Sequence, residues 1–132
     1  MDIKVSFAGG KKINAEVNGK TIYTDQPRDE GGENTAPAPF EYLLASLATC
    51  AGYYVMSYLQ ARDLPIEGVQ VIQRHSWNEK SHRLENIELI IQVPADIPER
   101  HHRPLERAAA SCSVKKLIQK PPPFEIRTEW VS

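Results

Sequence analysis

The sequence predicts an α+β fold in the order β-β-β-α-β-β-α-β, forming a single domain over residues 1–132. Three observations predict it. The N-terminal stretch alternates apolar and polar residues on both sides of an Asn18-Gly19 pair, two apolar segments have helical length, and two later stretches alternate again. Two antiparallel sheet segments would then lie around central helices.

Each element has a local reason. Ile3, Val5 and Phe7 alternate with polar neighbours, as in a half-buried strand, until Ala8-Gly9-Gly10 breaks it. Ile13, Ala15 and Val17 repeat the pattern, and Asn18-Gly19 leads into Thr21-Ile22-Tyr23. Asn-Gly between such runs signals a hairpin, because a type I′ turn needs positive φ twice. Residues 25–39 (DQPRDEGGENTAPAP) are polar and rich in Gly and Pro, long enough for a functional loop. Pro37 or Pro39 in a first turn, with Glu41 beside the positive helix end, opens the first helix. From Tyr42 to about Arg62 that helix is apolar on nearly all sides, with Leu43, Leu44, Leu47, Val55, Met56 and Leu59. Asp63-Leu64-Pro65 ends it. Val69 and Val71 begin a strand, a turn falls near Glu79-Lys80-Ser81, and Ile87, Leu89, Ile91 and Val93 complete a second hairpin. A second helix is expected from about Glu99 to Gln119, stopped by Pro121-Pro122-Pro123. Phe124, Ile126, Thr128 and Trp130 alternate with Glu125, Arg127 and Glu129, which predicts a last strand.

Bulk properties narrow the function. The net charge is −1 and the pI about 6.4, with no basic patch fit for nucleic acid. No apolar run is long enough to span a bilayer, so no membrane partner is expected. The N-terminus, Met1-Asp2-Ile3-Lys4, lacks a signal peptide's apolar segment, which points to the cytoplasm and to reduced thiols. No C-x-x-C or H-x-x-x-H spacing occurs, so neither a metal nor another cofactor is expected. A helix apolar all round in so small a chain is best covered by a second copy, which predicts a homodimer with the first helix at its centre.

The chain has two cysteines, Cys50 midway along the first helix and Cys112 within the second. Two readings stay open from the residues alone. Free cysteine is among the most buried residue types, which makes both plain core thiols. Against this, small residues flank each thiol: Ala45, Ser46, Ala48, Ala51 and Gly52 around Cys50, and Ala109, Ala110, Ser111 and Ser113 around Cys112. Lys115 and Lys116 stand three and four places after Cys112, and a nearby cation favours the thiolate; taken alone, they read as a solvated face. His75, Trp77 and His82 read as sheet surface, and His101-His102-Arg103 as solvated.

The stretch Pro39-x-Glu41-x-Leu43-Leu44-Ala45 leading to Cys50, followed after a hairpin by Cys112-x-Val114, resembles the OsmC/Ohr family of osmotically inducible and organic hydroperoxide resistance proteins. The upstream DEGGENTAPAP resembles the loop before that family's central helix. The resemblance implies an OsmC-like, intertwined α+β homodimer with two sites at the subunit interface. It implies a thiol-dependent peroxidase acting on organic hydroperoxides in oxidative-stress defence. By that reading Cys50 attacks the peroxide and becomes a sulfenic acid, Cys112 resolves it as a disulfide, and an external dithiol reduces the pair. The resemblance also implies an arginine and a glutamate beside the attacking cysteine. Where that arginine is expected, the chain has Gly9-Gly10-Lys11-Lys12, and lysine lacks the bidentate fork. The glutamate position of the Ohr branch, ten residues before the cysteine, holds Phe40, and Glu41 stands nine before. Nine residues at about 100° each turn to the opposite face of a straight helix. Glu41 is the candidate third catalytic residue. Arg28, Lys11 and Phe40 are candidates for binding substrate or stabilising the thiolate. The competing expectation is a non-catalytic OsmC-like dimer that binds an apolar small molecule or senses redox state.

Overall fold

In the computed structural model, which describes residues 1–131, Asn18 and Gly19 both take positive φ, 49° and 75°. That turn joins β2 (Ile13–Val17) to β3 (Lys20–Thr24), and β1 (Lys4–Phe7) pairs antiparallel on the other edge of β2. The three-stranded meander is as the alternation predicts. Its apolar residues are less covered than expected: Val5 is 57% exposed and Phe7 85%. Alternation records a face that is apolar, not one already covered.

The chain divides into two compact units, one over Met1–Ser46 and the other from Leu47 onward. In the first, the 25–39 loop is organised by one residue. Asp25 is buried, and its carboxylate accepts hydrogen bonds from the backbone N–H groups of Gln26 (2.8 Å), Glu33 (3.3 Å) and Thr35 (3.1 Å), and from the Thr35 hydroxyl (2.7 Å). Charged acceptors make strong hydrogen bonds, so one carboxylate here replaces the ladder the loop lacks. Lys12 pairs with Glu33 at 2.8 Å on the outside. A side chain at Gly32 would run into the Gln26 backbone, so the fold of this loop requires glycine there.

Helix α1, Pro39–Ala61, starts with proline at its first position. Glu41 reaches back to accept from the Ala38 N–H at 3.0 Å, as the glutamate of a capping box does. At the other end Asp63 takes φ 55° and the Leu64 N–H bonds to the Leu59 carbonyl at 2.9 Å, which satisfies the last carbonyls. The sequence reads this helix as apolar all round. The chain buries only one stripe of it, Leu47, Ala51, Val55 and Leu59, at a spacing of four. Leu43 and Tyr53 remain 42% and 58% exposed.

In the second unit, β4 (Gln70–Asn78) and β5 (Arg83–Gln92) form the second hairpin. Its turn is held by Asn78, whose side-chain oxygen accepts from Lys80 N–H and Ser81 N–H, each at 2.9 Å. The core joins the α1 stripe to Ile97, Leu105 and Ala109, with Leu89 and Ile91 of β5 packed against it. Burying a leucine of this kind contributes roughly 1.5–3 kcal/mol.

Two expectations are corrected here. The second helix is not continuous. It is α2 (His102–Ala110) and α3 (Ser113–Gln119), preceded by a 3-10 turn at Glu99–His101. The break falls where Ser111 turns its hydroxyl back onto the Arg107 carbonyl at 3.1 Å and Cys112 takes φ −52°, ψ 125°. The last strand is also absent: residues 121–131 form no strand in this chain. Phe124, Ile126 and Trp130 are 85%, 97% and 100% exposed. A strand needs a ladder partner, and none of the described strands pairs with this segment. The architecture is nonetheless α+β, with two antiparallel sheets and three α-helices among the described residues. No described helix is long and apolar enough to cross a membrane.

The Asp25 clasp carries a pH signature. Its hydrogen bonds, with the Thr35 hydroxyl first, hold its pKa down from 3.8 to about 2. A depressed carboxylate pKa contributes stability that is complete above the unfolded value and lost as pH falls through the folded one. Urea midpoints should therefore drop between about pH 4 and pH 2, and Asp25→Asn should remove part of that drop. An identical pH profile in the variant would refute the assignment.

Candidate functional site

The break between α2 and α3 decides where Cys112 stands. Cys112 is not mid-helix, as its surroundings in sequence suggest, but is the residue that caps α3. Its carbonyl accepts from the Lys116 N–H at 3.1 Å, and its side chain is turned towards α1. Cys50 meets it from α1: its sulfur stands by the hydroxyl of Ser113, the residue after Cys112, and each cysteine shifts the pKa of the other. Small neighbours permit this approach, since Ala51 is fully buried and Gly52 carries no side chain. The two free cysteines of the sequence are therefore neighbours in the fold.

Their surroundings differ. Cys112 is 1% exposed and its sulfur lies 3.9 Å from the Leu47 carbonyl. Cys50 is only partly buried, with its sulfur 3.6 Å from the Ser113 hydroxyl. Hydrogen bonding favours a thiolate, and burial disfavours it. At Cys50 the donors win. The Val114 N–H contributes most, then the Cys112 thiol, then the Ser113 hydroxyl and N–H, and together they bring its pKa from 9.0 to about 7 despite burial. At Cys112 burial wins and raises its pKa, with the neighbouring Cys50 pushing the same way. Near neutral pH the pair is thus one thiolate-forming sulfur and one that keeps its proton. Cys112 has a single hydrogen to give. Once Cys50 ionises, giving it to that sulfur is the stronger bond.

A cavity of about 500 Å³ opens beside the pair, with Leu47, Leu89, Ile91, Ala109, Cys112 and Ile118 on its apolar wall. Lys115 lines it as well, and Lys116 is exposed. Neither lysine is among the groups that lower Cys50; those groups are hydrogen-bond donors.

The remaining expected site residues belong to the N-terminal unit. Glu41 is bound to the Ala38 N–H at the start of α1. Phe40 is the second residue of that helix and 50% exposed. Arg28 opens the 3-10 turn Arg28–Glu30 with an exposed side chain, and Lys11 is exposed next to Gly31. The reading of His101 as solvated is corrected: it is half-buried and shares a 2.8 Å hydrogen bond with the Tyr58 hydroxyl, while Arg62 stacks on the Tyr58 ring. His75 is also half-buried and accepts from Gln73 Nε2 at 2.7 Å. Among the described residues no group of three or more His, Cys, Asp or Glu is placed to hold a metal ion. Sequence reasoning missed the two backbone donors at the thiols and, away from them, the clasp of the loop. The Val114 and Ser113 N–H groups carry no side-chain signature. Asp25 reads as one more polar loop residue unless its position at the end of a strand, ten residues before Thr35, is noticed.

The fold recurs in solved structures. A Psychrobacter arcticus protein of the osmotic-stress-induced and detoxification-response type superposes with a TM-score of 0.72 at 22% identity, covering 86% of this chain and 85% of its own. An OsmC-like protein of Mycoplasma pneumoniae gives 0.70 at 17% identity, covering 91% and 87%. An organic hydroperoxide resistance protein OsmC of Legionella pneumophila gives 0.56 at 16% identity, covering 90% and 88%. No curated protein sequence matches the chain. The sequence profile of the OsmC-like proteins matches residues 31–127, a span that begins in the Asp25-clasped loop and includes both cysteines. The chain belongs to the OsmC-like protein family.

Proposed function

We propose that the chain is a thiol-dependent peroxidase for organic hydroperoxides, acting in oxidative-stress defence in the cytoplasm. The observation that carries this reading is the approach of Cys50 to the Cys112-Ser113 turn, its sulfur 3.6 Å from the Ser113 hydroxyl, with the two thiol pKa values moved in opposite directions. The names of the Legionella and Psychrobacter neighbours, hydroperoxide resistance and detoxification response, support the same redox and stress role.

The chemistry runs in three balanced steps. The Cys50 thiolate attacks the terminal oxygen of ROOH; the O–O bond breaks, the sulfur becomes a sulfenic acid, and the alkoxide takes a proton to leave as ROH. Cys112 then attacks the Cys50 sulfenic acid, and its proton leaves with the hydroxyl group as water. Cys112 gives up its proton as it attacks, because the thiolate is the nucleophile. An external dithiol finally reduces the disulfide and is itself oxidised. The dithiol meets the Cys50 sulfur, the more exposed of the two, and Cys112 leaves with its proton restored. Glu41 is proposed to act by fixing the start of α1, and Arg28, Lys11 and Phe40 as further contributors to substrate or thiolate binding.

The working form is proposed to be an intertwined homodimer of single-domain protomers. Its support is the apolar surface one chain leaves open, on α1 at Leu43 and Tyr53 and along the 124–131 segment. The cavity favours a second reading, in which the chain binds an apolar small molecule and the cysteines act as core or redox sensor, because its wall holds Cys112 and not Cys50.

Thiol counting separates the two. One equivalent of cumene hydroperoxide should consume two thiols per chain rapidly, and Cys50→Ser should slow this by at least about a hundredfold. Slow loss from the unaltered chain would leave the binding reading standing. With Cys112→Ser, excess peroxide should drive Cys50 on to the sulfinic acid, seen as two added oxygens by mass spectrometry. A Cys50 that stays unmodified in that variant would contradict its role as the attacking sulfur.

A further inference from the structure

We propose that Ser113 is a catalytic residue of this site, the side chain that stabilises the Cys50 thiolate in place of a cation. The inference rests on the reading of Cys50 as the attacking thiol. The Ser113 hydroxyl oxygen stands 3.6 Å from the Cys50 sulfur, within reach of a sulfur hydrogen bond, and makes no other hydrogen bond among the described residues. Ser113 is the first residue of α3, directly after the helix break, so its side chain is set by the same backbone turn that aims Cys112. The hydroxyl can give or accept a hydrogen bond while Cys50 is a neutral thiol. A thiolate only accepts. Ionisation therefore commits the hydroxyl to donating, and the bond becomes charge-assisted, so the contact is stronger in the reactive state than in the resting one.

The neighbours that face Cys50 are consistent with this role. From the α2–α3 side they are the Cys112 thiol, the Ser113 hydroxyl and the N–H groups of Ser113 and Val114. Lys115 lies on the cavity wall beside Cys112 and Glu106 on the α2 side of the same cavity; neither is among the groups that shift Cys50. The Val114 and Ser113 N–H groups are backbone and would serve any residue at 113. The hydroxyl is what serine adds.

The test reads the thiolate without any peroxide, so that it stands apart from peroxidase activity. The rate of iodoacetamide alkylation of Cys50, followed on its own peptide by mass spectrometry, is measured from pH 5 to pH 10. Ser113→Ala should raise the midpoint by roughly half a unit to one unit and slow alkylation at pH 7 roughly two- to fivefold. Ser113→Thr, which keeps the hydroxyl, should restore the original midpoint. Matched thermal unfolding shows that each variant is folded. An unchanged midpoint in Ser113→Ala overturns the proposal, and so does an equal shift in both variants, which would assign the effect to packing. A shifted midpoint in a chain that fails the thiol-counting test keeps the role of Ser113 in ionising Cys50 and removes the peroxidase reading.

Discussion

The proposed chemistry of this chain depends on one approach, that of Cys50 on α1 to the Cys112-Ser113 turn that opens α3. Neither segment creates it alone. Helix α1 brings a partly exposed thiol among small residues, and the interruption between α2 and α3 brings a buried one. A continuous helix through Cys112 would have placed its backbone N–H groups in the helical ladder. The break instead frees the Ser113 and Val114 N–H groups at the start of α3 to face Cys50. The same interruption thus supplies both the second sulfur and the donors that ionise the first.

Among the described residues, hydrogen-bond donors and not a cation lower the Cys50 pKa. Stabilisation by several hydrogen bonds differs from stabilisation by a charge. It is short-ranged, weakly screened by salt, and leaves the net charge of the site to the substrate and to Cys50 itself. The difference in exposure then orders the roles. The partly exposed sulfur has its pKa lowered by donors, and the buried one has its pKa raised by burial.

The architecture was legible in the sequence where local chemistry is decisive. Asn18-Gly19 fixed a hairpin, Pro39 and Asp63-Leu64-Pro65 bracketed α1, and alternation found β4 and β5. Reading failed where the cause is non-local. Ser111-Cys112-Ser113 looks like the middle of a helix until Ser111 is seen to bond back to Arg107. The 124–131 alternation is real, yet a strand is a property of two segments, and this chain provides only one. The apolar residues left open on α1 and β1 belong to the same class: sequence tells that a face is greasy, not what covers it. The site shows the same division. The surroundings of the cysteines left two readings open and only the family resemblance paired them, whereas the backbone donors have no sequence pattern of their own.

The central claim, that Cys50 and Cys112 of one chain come together, is tested most directly by oxidising the reduced protein with diamide and mapping the product. The account predicts a single intrachain disulfide joining the Cys50 and Cys112 peptides, with monomer mobility on a denaturing gel without reductant. Two thiols that persist, or disulfides that join separate chains, would contradict it.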